Sequence, residues 1–204
     1  ACIYKFDDTF MTGVRNNMTA QAESLGATIE IVDSQNKQPT QNEQVDTYIT
    51  KGVNALAVNP VDLTAAGPII DKASAAGIPI VLLNRQPSEE DMAKYDKTWY
   101  VGARAEESGT MSGQIILDYF KANAGADKNG DGVIQYVMLQ GEPGHQDAEL
   151  RSEYCVKAMT DAGLQVEEVA KDTAMWDRVK GQDKMATFLA AHDNIEAVFC
   201  NNDD

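Results

Sequence analysis

A chain of 204 residues with 43% hydrophobic and 24% charged content has the makeup of an ordinary globular protein, long enough for one large domain or two small ones. Its formal net charge of −15 disfavours nucleic acid and anionic membrane surfaces, which are bound through Lys and Arg. Apolar runs such as 78–83 are strand-length and far short of a membrane span, so no insertion of this segment is expected. Cys2, Cys155 and Cys200 are too scattered for a disulfide framework or a zinc site and read as small core residues.

Along the chain, apolar runs alternate with segments of helical period. A strand at "CIY" precedes a helix over 9–24 with Phe10, Val14 and Met18 on one face, which Gly26 stops. A strand is predicted at 28–32, then a helix carrying Val45, Tyr48 and Ile49. "NALAVN" is a strand ended by Pro60, followed by a helix with Ile69 and Ile70 and the strand at 78–83. The polar segment 85–97 reads as a surface excursion that closes the first unit. A second round then runs strand 98–101, helix 105–122, strand 133–139, helix 148–162, strand 164–169, helix 178–190 and strand 195–200. Strands apolar on both faces and joined by helices imply an α/β fold with two doubly wound parallel-sheet domains, divided as 1–103 and 104–204.

Open α/β sheets bind ligands at the carboxyl ends of their strands. Just past those ends stand Asp7, Asp8 and Phe10; Asn84 and Arg85; His145, Asp147 and Arg151; Trp176; and Asn201, Asn202 and Asp203. Carboxylates, amides and a guanidinium bridge neighbouring hydroxyls, while aromatic rings cover the C–H faces of a pyranose, so the set suits a neutral polyol. Neither G-x-G-x-x-G nor a P-loop occurs, which argues against a nucleotide. Each residue also has a plain structural reading: Asp147 and Arg151 as an ion pair one helical turn apart, Phe10 as core, Asp8 near an N-cap.

One further motif is "DKNGDGVIQ" at 127–135, which opens like an EF-hand calcium loop but has Met138 where the closing glutamate belongs. A solvated acidic turn competes with this reading. Glu196, set in the apolar run "IEAVFC", calls for a compensating cation or partner.

The stretches "YKFDDTFM", "DSQNKQPTQNEQVD", "KGVNALAVNPVD", "YDKTWYVG", "DKNGDGVIQY", "GEPGHQDAELR", "DTAMWD" and "NND" run through the whole chain. In them the chain resembles the bacterial galactose/glucose-binding proteins of ABC transport and chemotaxis. The resemblance implies a type I periplasmic binding protein fold, incomplete at the C-terminus, whose two lobes close on a monosaccharide. It matches sugar ligands to Asp8, Asn84, His145, Asp147, Arg151 and Asn202, and stacking aromatics to Phe10 and Trp176. Arg85 stands where the family has a lysine, so its contact is less firmly implied.

The resemblance also implies a structural calcium ion held by side chains of Asp127, Asn129, Asp131, Gln135 and Glu196 and the carbonyl of Val133. Expected partners are an ABC sugar permease and a chemoreceptor; the chain is expected to be a fragment, a truncation or one half of a split protein, and in the last case the C-terminal part is a further partner on a second chain. The expected location is extracytoplasmic, periplasmic or as a cell-surface lipoprotein, with the leader absent from this chain. No catalysis is expected; a sugar-modifying α/β enzyme and a calcium-responsive module are the competing classes. Because one family ligand and part of the hinge lie beyond "NND", this chain alone is expected to bind sugar weakly or not at all.

Overall fold

The computed structural model describes residues 1–203. It divides into two compact units, Ala1–Gly102 and Ala103–Asp204, each built around a parallel sheet. In the first, β1 (Cys2–Ile3), β2 (Val32–Asp33), β3 (Leu56–Val58), β4 (Ile80–Leu83) and β5 (Thr98–Val101) are ordered β2-β1-β3-β4-β5. Helices α1 (Thr9–Ser24), α2 (Gln38–Lys51) and α3 (Ala66–Ala76) cover it, with a short α4 (Glu89–Met92).

The period-2 alternation of the strands sorts their side chains onto two faces. Cys2, Leu56, Val58, Ile80 and Leu82 pack under Val45 and Tyr48 of α2 and Ile69 and Ile70 of α3. Ile3, Ala57, Val81 and Leu83 pack under Met11, Val14 and Met18 of α1. That is the doubly wound arrangement which strands apolar on both faces require.

The second unit orders β7 (Gln165–Thr173), β6 (Val133–Gln140) and β8 (Ala197–Cys200), again all parallel. Helices α5 (Ala105–Ala122), α6 (Gln146–Asp161) and α7 (Arg178–Ala191) complete it. Ile134, Tyr136 and Met138 face α5 and α6, while Val137 and Leu139 face Phe188 and Met185 of α7. Helices α5 and α6 lie close because Gly109 and Gly113 have no side chain. A Cβ on Gly113 would stand 2.3 Å from the carbonyl oxygen of Cys155.

Four expectations need correction. The strand at 98–101, predicted to open a second round, is the fifth strand of the first sheet, with Leu82 opposite Tyr100. The charged segment before it forms the crossover, and its four-residue helix is too short to show a period. At 28–32 only Val32 enters the ladder, since β1 offers just Cys2 and Ile3 as partners. In the last strand the ladder begins at Ala197, one residue past Glu196. Cys200 is exposed, whereas Cys2 and Cys155 are buried as expected, because alternation turns Phe199 into the core and Cys200 away from it.

Candidate functional site

In the first unit the polar groups gather past β1 and β4. Asp8 caps α1, accepting from the backbone N–H of Met11 at 2.7 Å through one oxygen and from the Tyr4 hydroxyl through the other. Phe10, one position into the helix, is 56% exposed, so it is not the core residue its spacing allowed. With Val14 and Met18 it lines an open apolar groove of about 750 Å³ along α1.

Asn84 follows β4 directly, in the left-handed region at φ 61°. It is fixed there by its own N–H donating to the Val101 carbonyl (2.9 Å) and by the Tyr100 hydroxyl donating to its carbonyl (2.9 Å). Its side-chain oxygen accepts from the Asn59 amide at 3.3 Å. Arg85 turns inward: it is 7% exposed, its guanidinium lies 4.4 Å from the centre of the Tyr4 ring, and it donates to the Val61 carbonyl. The structure therefore gives Arg85 a place beneath the strand ends, holding Tyr4, which in turn holds Asp8.

The second unit assembles a denser set. His145 caps α6, its Nδ1 accepting from the N–H of Asp147 at 3.1 Å. Asp147 is 6% exposed and pairs with Arg151 one turn on, Oδ2 to guanidinium, at 2.8 Å. Arg151 also donates to the Asn201 carbonyl (3.0 Å) and to Oδ1 of Asn202 (2.9 Å). The ion pair of the plain structural reading is thus present within α6, and the further bonds of Arg151 to Asn201 and Asn202 join that helix to the end of β8.

Trp176 has φ 59°, outside the usual range for an aromatic residue, and its ring meets His145 edge-on with centroids 5.1 Å apart. It lies against Gly141, where a Cβ would come within 2.3 Å of the indole. Gly141, Ala174, Trp176, Asn201 and Asn202 line a small cleft of about 40 Å³. Each unit thus brings its own predicted residues to the carboxyl ends of its strands.

Sequence reasoning missed Tyr4, Asn59, Gly141 and Ser152. Asn59 receives the Tyr4 N–H at 3.3 Å and donates to the Leu83 carbonyl at 2.9 Å. Ser152 accepts from the Asn201 amide at 3.0 Å, and Asn201 accepts the Gly141 N–H at 2.7 Å. For Tyr4, Asn59 and Gly141 the available signal was a position just past a strand; Ser152, inside α6, carried none.

At the opposite end of β6 lies the acidic loop. Both carboxylate oxygens of Asp127 accept loop N–H groups, from Gly130 (2.7 Å) and Gly132 (2.9 Å), and Gly130 and Gly132 take positive φ at the turn. Asp131 accepts from the N–H of Val133 (2.8 Å) and from the side-chain amides of Asn129 and Gln135, both at 2.9 Å. Those bonds hold its carboxyl below the usual aspartate range, the Val133 N–H contributing most. Glu196 accepts the backbone N–H of Lys128 and that of Gln135, the latter at 3.2 Å.

The six expected oxygen donors are therefore stitched into one region of the second unit. Among the described residues no three acidic, His or Cys side chains form a metal-binding group by themselves. A cation here would have to draw on the amide and carbonyl oxygens as well, a donor set that suits calcium better than zinc.

A family described as "Periplasmic binding protein domain" matches residues 2–204. The D-galactose/methyl-galactoside binding periplasmic protein of Haemophilus influenzae is 42% identical, over 98% of this chain and 62% of its own length. The ribose import binding protein of Escherichia coli is 28% identical, over 97% of this chain and 61% of its own. The chain thus spans about 62% of the length of such relatives. An ABC transporter solute binding protein from Bacillus halodurans, solved with bound myo-inositol, superposes with a TM-score of 0.82 at 27% identity, over 99% of this chain and 65% of that one. A galactofuranose binding protein does so with 0.82 at 25% identity, over 99% and 67%.

Proposed function

The chain belongs to the periplasmic binding protein domain family, and from that premise we propose that the protein carrying it is an extracytoplasmic receptor for a monosaccharide of the glucose/galactose type. It delivers the sugar to an ABC permease, and a chemoreceptor reads the same liganded form. The sugar contacts we assign are Asp8, Phe10 and Asn84 for the first unit taken by itself, and His145, Asp147, Arg151, Trp176 and Asn202 for the second. Arg85 acts through Tyr4. The observation that carries this reading is the Asp147–Arg151–Asn202 network beside the Trp176 ring. It offers paired charged acceptors and donors next to an aromatic plane, which is what a polyol with an apolar C–H face needs.

The binding is without turnover: it works by differential contact with the liganded form. A structural calcium ion held by Asp127, Asn129, Asp131, Gln135, Glu196 and the Val133 carbonyl stiffens the second unit. No helix among the described residues is long and apolar enough to cross a membrane.

Calorimetric titration of the whole protein with D-glucose, D-galactose, D-ribose and myo-inositol tests the reading. A hexose should bind at micromolar or tighter Kd, and Asp147→Asn should weaken it at least tenfold, the weight of a lost charge-assisted hydrogen bond. Preference for ribose or inositol would move the specificity. Conversion of the sugar, seen by mass spectrometry, would replace the function.

A further inference from the structure

Lys128 is the second residue of the acidic loop and its side chain has no oxygen to offer a cation, yet it makes the loop's longest-range contacts. Its backbone N–H donates to Glu196, and its ammonium donates to the Ile195 carbonyl at 2.8 Å. One residue thus grips two successive residues that lie 67 and 68 positions away in sequence. At the far side of the loop Gln135 completes the hold. Its N–H donates to the other Glu196 oxygen, and its carbonyl accepts the Glu196 N–H at 2.8 Å. Glu196 is therefore suspended between the two ends of the loop. Ile195, whose carbonyl receives the ammonium, is itself only 9% exposed and anchored in the core under α7.

We propose that Lys128 is a positioning residue for the cation site, locking the loop onto Ile195–Glu196 so that the distant carboxylate already faces the loop before a cation arrives. The proposal rests on the calcium reading above. Its physical basis is preorganisation: ordering two segments far apart in sequence costs free energy, and a group that orders them beforehand removes that cost from binding. The lysine also has an opposite effect, because its positive charge repels a divalent ion, though solvent around an exposed loop screens that term. The two effects predict opposite signs when the side chain is removed.

The test is calcium titration by calorimetry on the native chain, Lys128→Met and Lys128→Arg, with hydrogen exchange measured in chelator on the peptide covering 127–135. Positioning predicts that Lys128→Met binds calcium about fivefold more weakly, the weight of one half-exposed hydrogen bond, and exchanges faster in chelator. Lys128→Arg, which keeps charge and donor, should recover most of both. Lys128→Gln serves if the Met variant fails to fold, as judged by circular dichroism. Unchanged or tighter calcium binding in the Met variant, or unchanged exchange, overturns the proposal and leaves the calcium reading standing. A native chain that takes up no calcium overturns both.

Discussion

Replacing Glu196 by Ala separates what the carboxylate does for the chain from what it does for an ion. In the structure it accepts two backbone N–H groups, those of Lys128 and Gln135. Lys128 lies on an exposed loop, so its N–H regains water when the carboxylate goes, at little cost. Gln135 is 6% exposed, and a buried N–H left without a partner costs about 1–3 kcal/mol. The variant should therefore lose about 1–2 kcal/mol even in chelator. In a unit the size of Ala103–Asp204, that is a fall in melting temperature of roughly 4–8 °C per kcal/mol. A bound ion adds RT ln(1 + [L]/Kd), about 2.7 kcal/mol at a hundred times Kd. Urea unfolding followed by circular dichroism, in EDTA and in excess calcium, reads both terms. The native chain should gain about 2.7 kcal/mol from calcium, and Glu196→Ala should gain far less. An equal loss in the two media would refute the ion. No loss in EDTA would refute the role of Glu196 as acceptor for both ends of the loop.

Two glycines should respond oppositely to alanine. Gly113→Ala drives a Cβ into the Cys155 carbonyl and should cost about 1–3 kcal/mol by thermal unfolding. Gly13→Ala, in the middle of α1 with nothing within 4 Å, should gain about 0.5–1 kcal/mol. The Asp131 carboxyl titrates lower in the folded chain than when unfolded, so its contribution is present above the ordinary aspartate value of about 3.9 and is lost as pH falls through its depressed folded value. Exchange protection of the Val133 N–H should accordingly vanish only in that acid range; loss near neutral pH would contradict it. A thiol reagent at pH 8 should modify Cys200 first. Cys155 and Cys2 are buried, and burial pushes their thiols up to about 12 and about 11. Mass spectrometry showing Cys155 labelled ahead of Cys200 would be inconsistent with the structure.

What the sequence disclosed follows from where each signal is stored. The limits of α1 were legible because Asp8 caps it and Gly26 follows it, both local features. The residues past the strand ends were legible because a parallel sheet places those positions together whatever their neighbours are. The direction of a side chain was not. Arg85 stands at the right place yet turns beneath Tyr4, because the Val61 carbonyl and the Tyr4 ring, remote in sequence, receive it. Tyr4 and Asn59 act on the site through a contact spanning 55 residues, and no local pattern encodes such a contact. Gly141 reads as an ordinary loop glycine until Trp176 is seen lying on it.

The two sites of the second unit sit at opposite ends of β6, the acidic loop entering it at Val133 and the polyol-type network leaving it at Gln140. Seven steps along the strand, at about 3.3 Å each, put roughly 23 Å between its two ends. No carboxylate is shared: Asp127, Asp131 and Glu196 serve the loop, and Asp147 serves the network. Over that distance direct electrostatic coupling is screened at physiological salt, where the Debye length is about 8 Å. Coupling would have to travel through β6 itself, whose central residues Tyr136, Val137 and Met138 are packed on both faces and resist small displacements. The ion should therefore govern stability and leave sugar affinity nearly untouched, with less than a threefold change in Kd between calcium and chelator. Linkage requires the sugar to alter calcium affinity by the same small factor. Paired titrations of the whole protein, each ligand in the presence and absence of the other, measure both. A tenfold effect in either direction would mean that β6 has two arrangements, and that the loop is a regulator of binding.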